Sequence, residues 1–134
     1  MNKIFLDTNL LIYLSTSHTS KAEKVSDLIN KTHFCFISVQ ILNEFAAACF
    51  KKELLSFDQI QKYIWEYNLC FEVADVNFRN ISECFLLKKK YKYSWFDSLI
   101  IATALLNGCQ TLYSEDLQHK QVIENKLTIL NPFV

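Results

Sequence analysis

Four carboxylates in this 134-residue chain stand where strands give way to helices, a position from which oxygen ligands can be presented to a common point. The first is Asp7, directly after the apolar run Ile4-Phe5-Leu6 and before Thr8-Asn9, with apolar character resuming at Leu10. A short run of β-formers reads as a buried strand, and Thr or Asn straight after it can cap a helix. Taken alone, Asp7 reads as a turn or cap residue more readily than as a ligand. Glu44 lies among Ile41, Leu42, Phe45 and three alanines. A carboxylate on so apolar a helix faces either solvent or a polar site, because burying it unpaired is costly. Its spacing turns it back toward the strand end that Ser38 caps. Asp97 is the sole charge of Trp95–Leu106, a segment apolar nearly all round and therefore buried. Ser94, three residues earlier, also allows Asp97 a capping role that favours the helix dipole. Asp116 follows Thr111-Leu112-Tyr113 as Asp7 follows the first strand, with Ser114 two residues before it. Its neighbour Glu115 is a rival, although alternation along the chain sends the two side chains to opposite sides.

Carboxylates that converge repel one another unless a cation neutralises them. The matching partner is a hard dication, Mg²⁺ or Mn²⁺, which prefers oxygen ligands and keeps waters that can be activated. Nucleophilic side-chain chemistry has no comparable set. His18 and His33 lie in a loop and beside a strand, and His119, after Asp116, reads as a solvated loop residue although it could approach the acids.

The elements that must hold these acids alternate. A helix after Asp7 runs to about Leu14, and Ser15 to Ser20 reads as a loop. Ser20 with Glu23 suggests a capping box before the stripe Ala22, Val25, Leu28 and Ile29. Phe34–Ile37 reads as a strand and Ser38 as the cap of a helix over 39–52. A helix over 54–69 buries Phe57, Ile60 and Ile64; a short strand lies near 71–73; a helix over 76–91 runs through Ile81, Phe85 and Leu86. The apolar helix over 95–106 ends at Asn107-Gly108, in the usual C-terminal manner. Strands near 111–113 and 127–130 complete the pattern. Such alternation predicts one α/β domain over 1–134, a parallel sheet covered by helices on both faces.

Composition narrows the classes. Apolar residues make up 51% and charged residues 21%, with one Gly and one Pro, so neither disorder nor a linker is expected. Fourteen basic and fourteen acidic residues cancel, so contact with phosphates has to come from a local patch or bound ions. Five cysteines without a CxxC, mostly in apolar stretches, read as buried thiols of a reducing compartment. The first apolar run is broken by Asp7, against a signal peptide, and no run approaches membrane-spanning length. A cytoplasmic location and no membrane contact are expected.

The ordered segments Ile4-Phe5-Leu6-Asp7-Thr8-Asn9, Ile37-Ser38-Val39-Gln40-Ile41-Leu42-Asn43-Glu44-Phe45, Trp95–Ala104, Tyr113-Ser114-Glu115-Asp116-Leu117 and Asn131-Pro132-Phe133 resemble the PIN-domain family, especially VapC-type toxins of bacterial toxin–antitoxin pairs. The resemblance covers essentially the whole chain. It implies a three-layer α/β/α fold with a mostly parallel sheet of four to five strands. It also implies a ribonuclease in which Asp7, Glu44, Asp97 and Asp116 hold one or two Mg²⁺ or Mn²⁺ ions, with Asn9 and Ser114 as polar support. Products with a 5′-phosphate and a 3′-hydroxyl, a homodimer, and an antitoxin whose tail reaches the acids are further implications. Ser114 stands where family members often have Thr, and Glu115 leaves open which acid is the fourth ligand.

Lys88–Lys90 and Lys92, with Tyr91, Tyr93 and Trp95, combine charge with rings that can stack on unpaired bases. Lys90, Lys92 and Tyr93 are thus candidates for RNA contact, although a solvated helix end explains the lysines equally well. Other readings are a catalytically silent PIN-like interaction module, a PIN nuclease of housekeeping RNA processing, and a phosphoacceptor receiver domain. The last needs adjacent acids after the first strand, where only Asp7 stands.

Overall fold

The computed structural model describes residues 2–16, 19–32 and 34–134. They form six strands and six helices: β1 (Lys3–Leu6), α1 (Thr8–Thr16), α2 (Thr19–Asn30), β2 (Phe34–Ser38), α3 (Val39–Lys51), α4 (Phe57–Cys70), β3 (Glu72–Ala74), α5 (Phe78–Tyr91), α6 (Trp95–Leu106), β4 (Thr111–Tyr113), β5 (Val122–Ile123) and β6 (Leu127–Leu130). The sheet order is β3-β2-β1-β4-β6-β5, parallel throughout except for β5 against β6.

This order has a physical consequence for the acids. From β1 the chain moves outward to β2 and β3, then returns past β1 to β4. Right-handed crossovers therefore place α1–α4 on one face and α5–α6 on the other. The direction reverses between β1 and β4, which opens a crevice at their carboxyl ends. Leu6 pairs with Tyr113, so Asp7 and Ser114 emerge side by side from neighbouring strands. Ser38 ends β2 on the other side of β1, and its hydroxyl accepts from the Ile41 amide to start α3.

The central strand β1 is apolar on both faces, with Ile4, Phe5 and Leu6 buried against Leu10, Ile37, Ile41, Phe45, Ile100 and Leu112. Continuous apolar runs of this kind are what a sheet covered on both sides requires. Helix α6 is buried along most of its length and stops at Asn107, after which Gly108 takes φ +71°, a left-handed conformation glycine adopts without a Cβ penalty.

Several local expectations are corrected. The sheet has a sixth strand, the two-residue β5, formed by a hairpin whose turn residues Glu124 and Asn125 both have positive φ. Ser15 and Thr16 extend α1, and Ser20 lies inside α2 rather than capping it. Helix α4 starts at Phe57, whose side chain is exposed. Helix α5 buries Asn80, Cys84 and Leu87, not Ile81, Phe85 and Leu86. The polar Asn80 is accommodated because its amide donates to Thr103 Oγ1 at 3.0 Å and to the Asp75 carbonyl at 3.4 Å. Cys35, Cys49, Cys84 and Cys109 are buried free thiols, while Cys70 is exposed. No helix of the described residues is long and apolar enough to cross a membrane.

Candidate active site

Asp7 is the most confined of the four acids, only 6% exposed. One carboxylate oxygen accepts from the Thr8 amide at 2.7 Å and the other from the Ser114 hydroxyl at 2.7 Å. Burial pushes its pKa up to about 6, the two hydrogen bonds oppose that rise, and the charges of Asp97 and Glu44 add to it. Asp7, just beyond β1, thus feels the charges of Glu44 on α3 and Asp97 on α6.

Glu44 is half-buried and faces the sheet end, as the spacing from Ser38 predicts. Its Oε1 accepts from the Thr8 hydroxyl at 3.1 Å and its Oε2 from the Gln40 amide at 2.7 Å. The same Gln40 nitrogen donates to the Phe96 carbonyl at 3.0 Å, which ties α3 to the first turn of α6. Thr8 and Gln40 are participants that reasoning from sequence missed. Thr8 reads as a helix cap, yet it is the first residue of α1 and its hydroxyl is spent on Glu44. Gln40 stands four residues before Glu44, a spacing that puts both on one helix face and was the available signal.

Asp97 lies in the first turn of α6, where the Ser94 hydroxyl accepts from its amide at 3.2 Å. Ser94 therefore caps the helix, and among the described residues no side chain hydrogen-bonds the Asp97 carboxylate. Asp116 is exposed, and its Oδ2 accepts from the Asn9 amide at 2.7 Å. Ser114, fully buried, also accepts from the Asp116 and Leu117 amides at 3.2 and 3.3 Å, so one hydroxyl joins Asp7 to the loop that carries Asp116.

Glu115 is turned elsewhere. Its carboxylate accepts from Tyr13 Oη at 2.5 Å and pairs with Lys21 Nζ at 2.5 Å, and these partners hold it below the usual carboxylate range. The Lys21 ammonium lies over the rings of Tyr13 and Phe133, 4.5 and 4.9 Å from their centroids. Of the two neighbouring acids, Asp116 alone is linked to the Asp7 group.

Lys90 and the tyrosines of the basic run make contacts within the fold. Lys90 pairs with Glu124 at 2.7 Å, and Tyr93 bonds Gln121 and accepts from the Gln118 amide. Lys92, in a left-handed conformation at the end of α5, is exposed. His119 Nδ1 accepts from the Asn131 amide at 2.9 Å and braces the C-terminal segment. His18 and His33 lie outside the described residues.

The donor set fits a hard dication by chemistry, since every candidate ligand is oxygen and Asp7 feels the like charges of Asp97 and Glu44. Among the described residues no three acidic, His or Cys side chains form a ready-made cage. Neutral donors from Thr8, Gln40, Ser114 and Asn9 hydrogen-bond Asp7, Glu44 and Asp116. Mg²⁺ does not require such a cage, because it keeps several waters and needs only one or two direct carboxylates.

A PIN-domain family model matches residues 4–125. No curated protein matches the chain. Solved structures share the fold across most of its length. A toxin–antitoxin complex from Klebsiella pneumoniae aligns at TM-score 0.74 and 19% identity, covering 97% of this chain and 98% of the other. DNA-bound VapBC from Salmonella typhimurium aligns at 0.73 and 20%, covering 96% and 97%. VapC20 of Mycobacterium tuberculosis, a toxin that cleaves the sarcin–ricin loop, aligns at 0.71 and 17%, covering 85% and 90%.

Proposed function

The chain belongs to the PIN-domain family, and from that premise we propose that it is a divalent-metal-dependent endoribonuclease, the toxin of a toxin–antitoxin pair. The observation that carries this reading is the buried Asp7 carboxyl at the sheet's switch point, pushed up to about 6 chiefly by burial and further by the charges of Asp97 and Glu44 beside it. A perturbed carboxylate with like charges beside it at a crevice is what a phosphate-directed metal site calls for.

Asp7, Asp97 and Asp116, with Glu44, are the residues that hold the ion, Mg²⁺ or Mn²⁺. When bound, the ion supplies neutralisation of phosphate charge and polarisation of water. The protein's own groups do the positioning. Ser114 and the Thr8 amide fix the Asp7 carboxylate, Asn9 steers Asp116, and Thr8 with Gln40 orients Glu44. The RNA strand crosses the carboxyl ends of β1 and β4 with its phosphate toward these acids.

Partners follow from the surface and the relatives. Phe78, Phe85 and Leu86 on α5, and Phe57, Trp65 and Leu69 on α4, expose large apolar side chains. Surfaces of this kind support a second copy of the chain and an antitoxin as occupants. The toxin role is tested by expression without an antitoxin: wild type arrests growth and Asp97→Asn is tolerated, whereas equal growth of the two contradicts it.

One observation favours the silent interaction module instead, namely that neutral donors already occupy the oxygens of Glu44 and Asp7. A chain that binds a protein partner yet cleaves no RNA with either metal supports that reading.

A further inference from the structure

Beside Glu44 lies an open cavity of about 670 Å³, bounded by Val39, Gln40, Asn43 and Ala47 of α3, by Val76 ahead of α5, and by Phe96 at the start of α6. Glu44 itself forms part of the wall, so the cavity opens from the group of acids rather than standing apart from it. Its walls are mainly apolar, no cationic side chain among the described residues lines it, and its volume is that of a small-molecule pocket.

We propose that this cavity is the subsite for one unpaired nucleobase next to the bond that is cut, an inference that rests on the ribonuclease reading. A strand whose phosphate meets Glu44 and Asp97 has to put a neighbouring nucleotide within reach of the cavity. The wall chemistry selects which part enters. A phosphate is disfavoured by Glu44 in a wall that carries no cation among the described residues, whereas a flat, largely apolar base matches Val39, Ala47 and Val76. Phe96 precedes Asp97 directly and is 63% exposed, so its ring is free to stack on a base. Base edges find the exposed side-chain amide of Asn43. The Gln40 nitrogen is committed to Glu44 and the Phe96 carbonyl, which leaves Gln40 Oε1 a buried acceptor without a donor among the described residues.

The test is fluorescence anisotropy of 5′-labelled single-stranded RNA octamers, intact or abasic throughout, with Ca²⁺ in place of Mg²⁺. Wild type is compared with Phe96→Ala, which removes the ring, and Ala47→Trp, which fills the cavity; both positions are exposed, so the fold tolerates them. Wild type should bind intact octamers about 5- to 150-fold more tightly than abasic ones, the range expected for one stacked base. Both variants should reduce that ratio about fivefold or more, with abasic binding unchanged. Equal binding of intact and abasic RNA by a wild-type protein that still cleaves RNA overturns this inference alone. So does an Ala47→Trp variant with the wild-type ratio, which leaves the cavity to an apolar protein segment. A wild-type protein that neither binds nor cleaves RNA overturns the ribonuclease reading and the subsite with it.

Discussion

The Ser114 hydroxyl donates to Asp7 Oδ2 at 2.7 Å across the seam between β4 and β1, while its oxygen accepts from two amides of its own loop. One buried atom group therefore sets the distance between the strand that carries Asp7 and the loop that carries Asp116. Ser114→Ala leaves the partners of a fully buried hydroxyl unsatisfied. The expected loss is about 1–3 kcal/mol of stability, read by chemical denaturation. Unchanged stability contradicts the role assigned to the hydroxyl.

Asp7 gives a pH dependence with a definite sign. Its carboxyl is raised from 3.8 to about 6 on folding, so between these values the folded state binds more protons than the unfolded state. Stability contributed by Asp7 is then highest below pH 4 and falls as pH rises through 6. In metal-free protein at pH 7.5, Asp7→Asn should be more stable than wild type by up to about 3 kcal/mol, and the gap should close near pH 4. Thermal melts of the two proteins across this range check it. An Asn variant that is less stable at pH 7.5 refutes the assignment.

Gln40 binds Glu44 and the Phe96 carbonyl through one nitrogen. Gln40→Leu removes that donor and should cost about 1–2 kcal/mol. Gln40→Glu, similar in shape, faces Glu44 with a like charge and should be worse in both stability and cleavage rate. Rates for Gln40→Glu at or above those of Gln40→Leu argue against the clamp.

The two neighbouring acids separate cleanly. Glu115→Gln weakens a partly exposed pair with Lys21, so cleavage should change about fivefold or less. Asp116→Asn removes a charge from the reacting centre and should lower the rate about a hundredfold or more. Comparable losses at both positions place Glu115 in the site.

The acids were legible in sequence because each depends on a local signal, an apolar strand ending in a polar step or a charge on an otherwise apolar helix. The order of strands and helices was legible for the same reason. What the sequence hid depends on residues far apart in the chain. Helix α5 turns Asn80 inward only because Thr103 and the Asp75 carbonyl are there to receive it. The partners of Lys90 and Tyr93, Glu124 and Gln121, lie some thirty residues further on and are brought to them by the fold at the β5–β6 hairpin. That hairpin itself carries no glycine, and two residues of strand are too few for a periodic signal. Thr8 and Gln40 have commoner roles, as cap and as surface amide, than the hydrogen bonds to Glu44 they make.

The most direct test of the central claim is cleavage of a labelled single-stranded RNA by purified protein, followed with Mn²⁺, with Mg²⁺ and with EDTA, for wild type and Asp7→Asn. Wild type should cut with either ion and not with EDTA, giving products that end in a 3′-hydroxyl, and Asp7→Asn should be inactive under every condition. Cleavage that survives EDTA, or that Asp7→Asn performs as well as wild type, contradicts that claim.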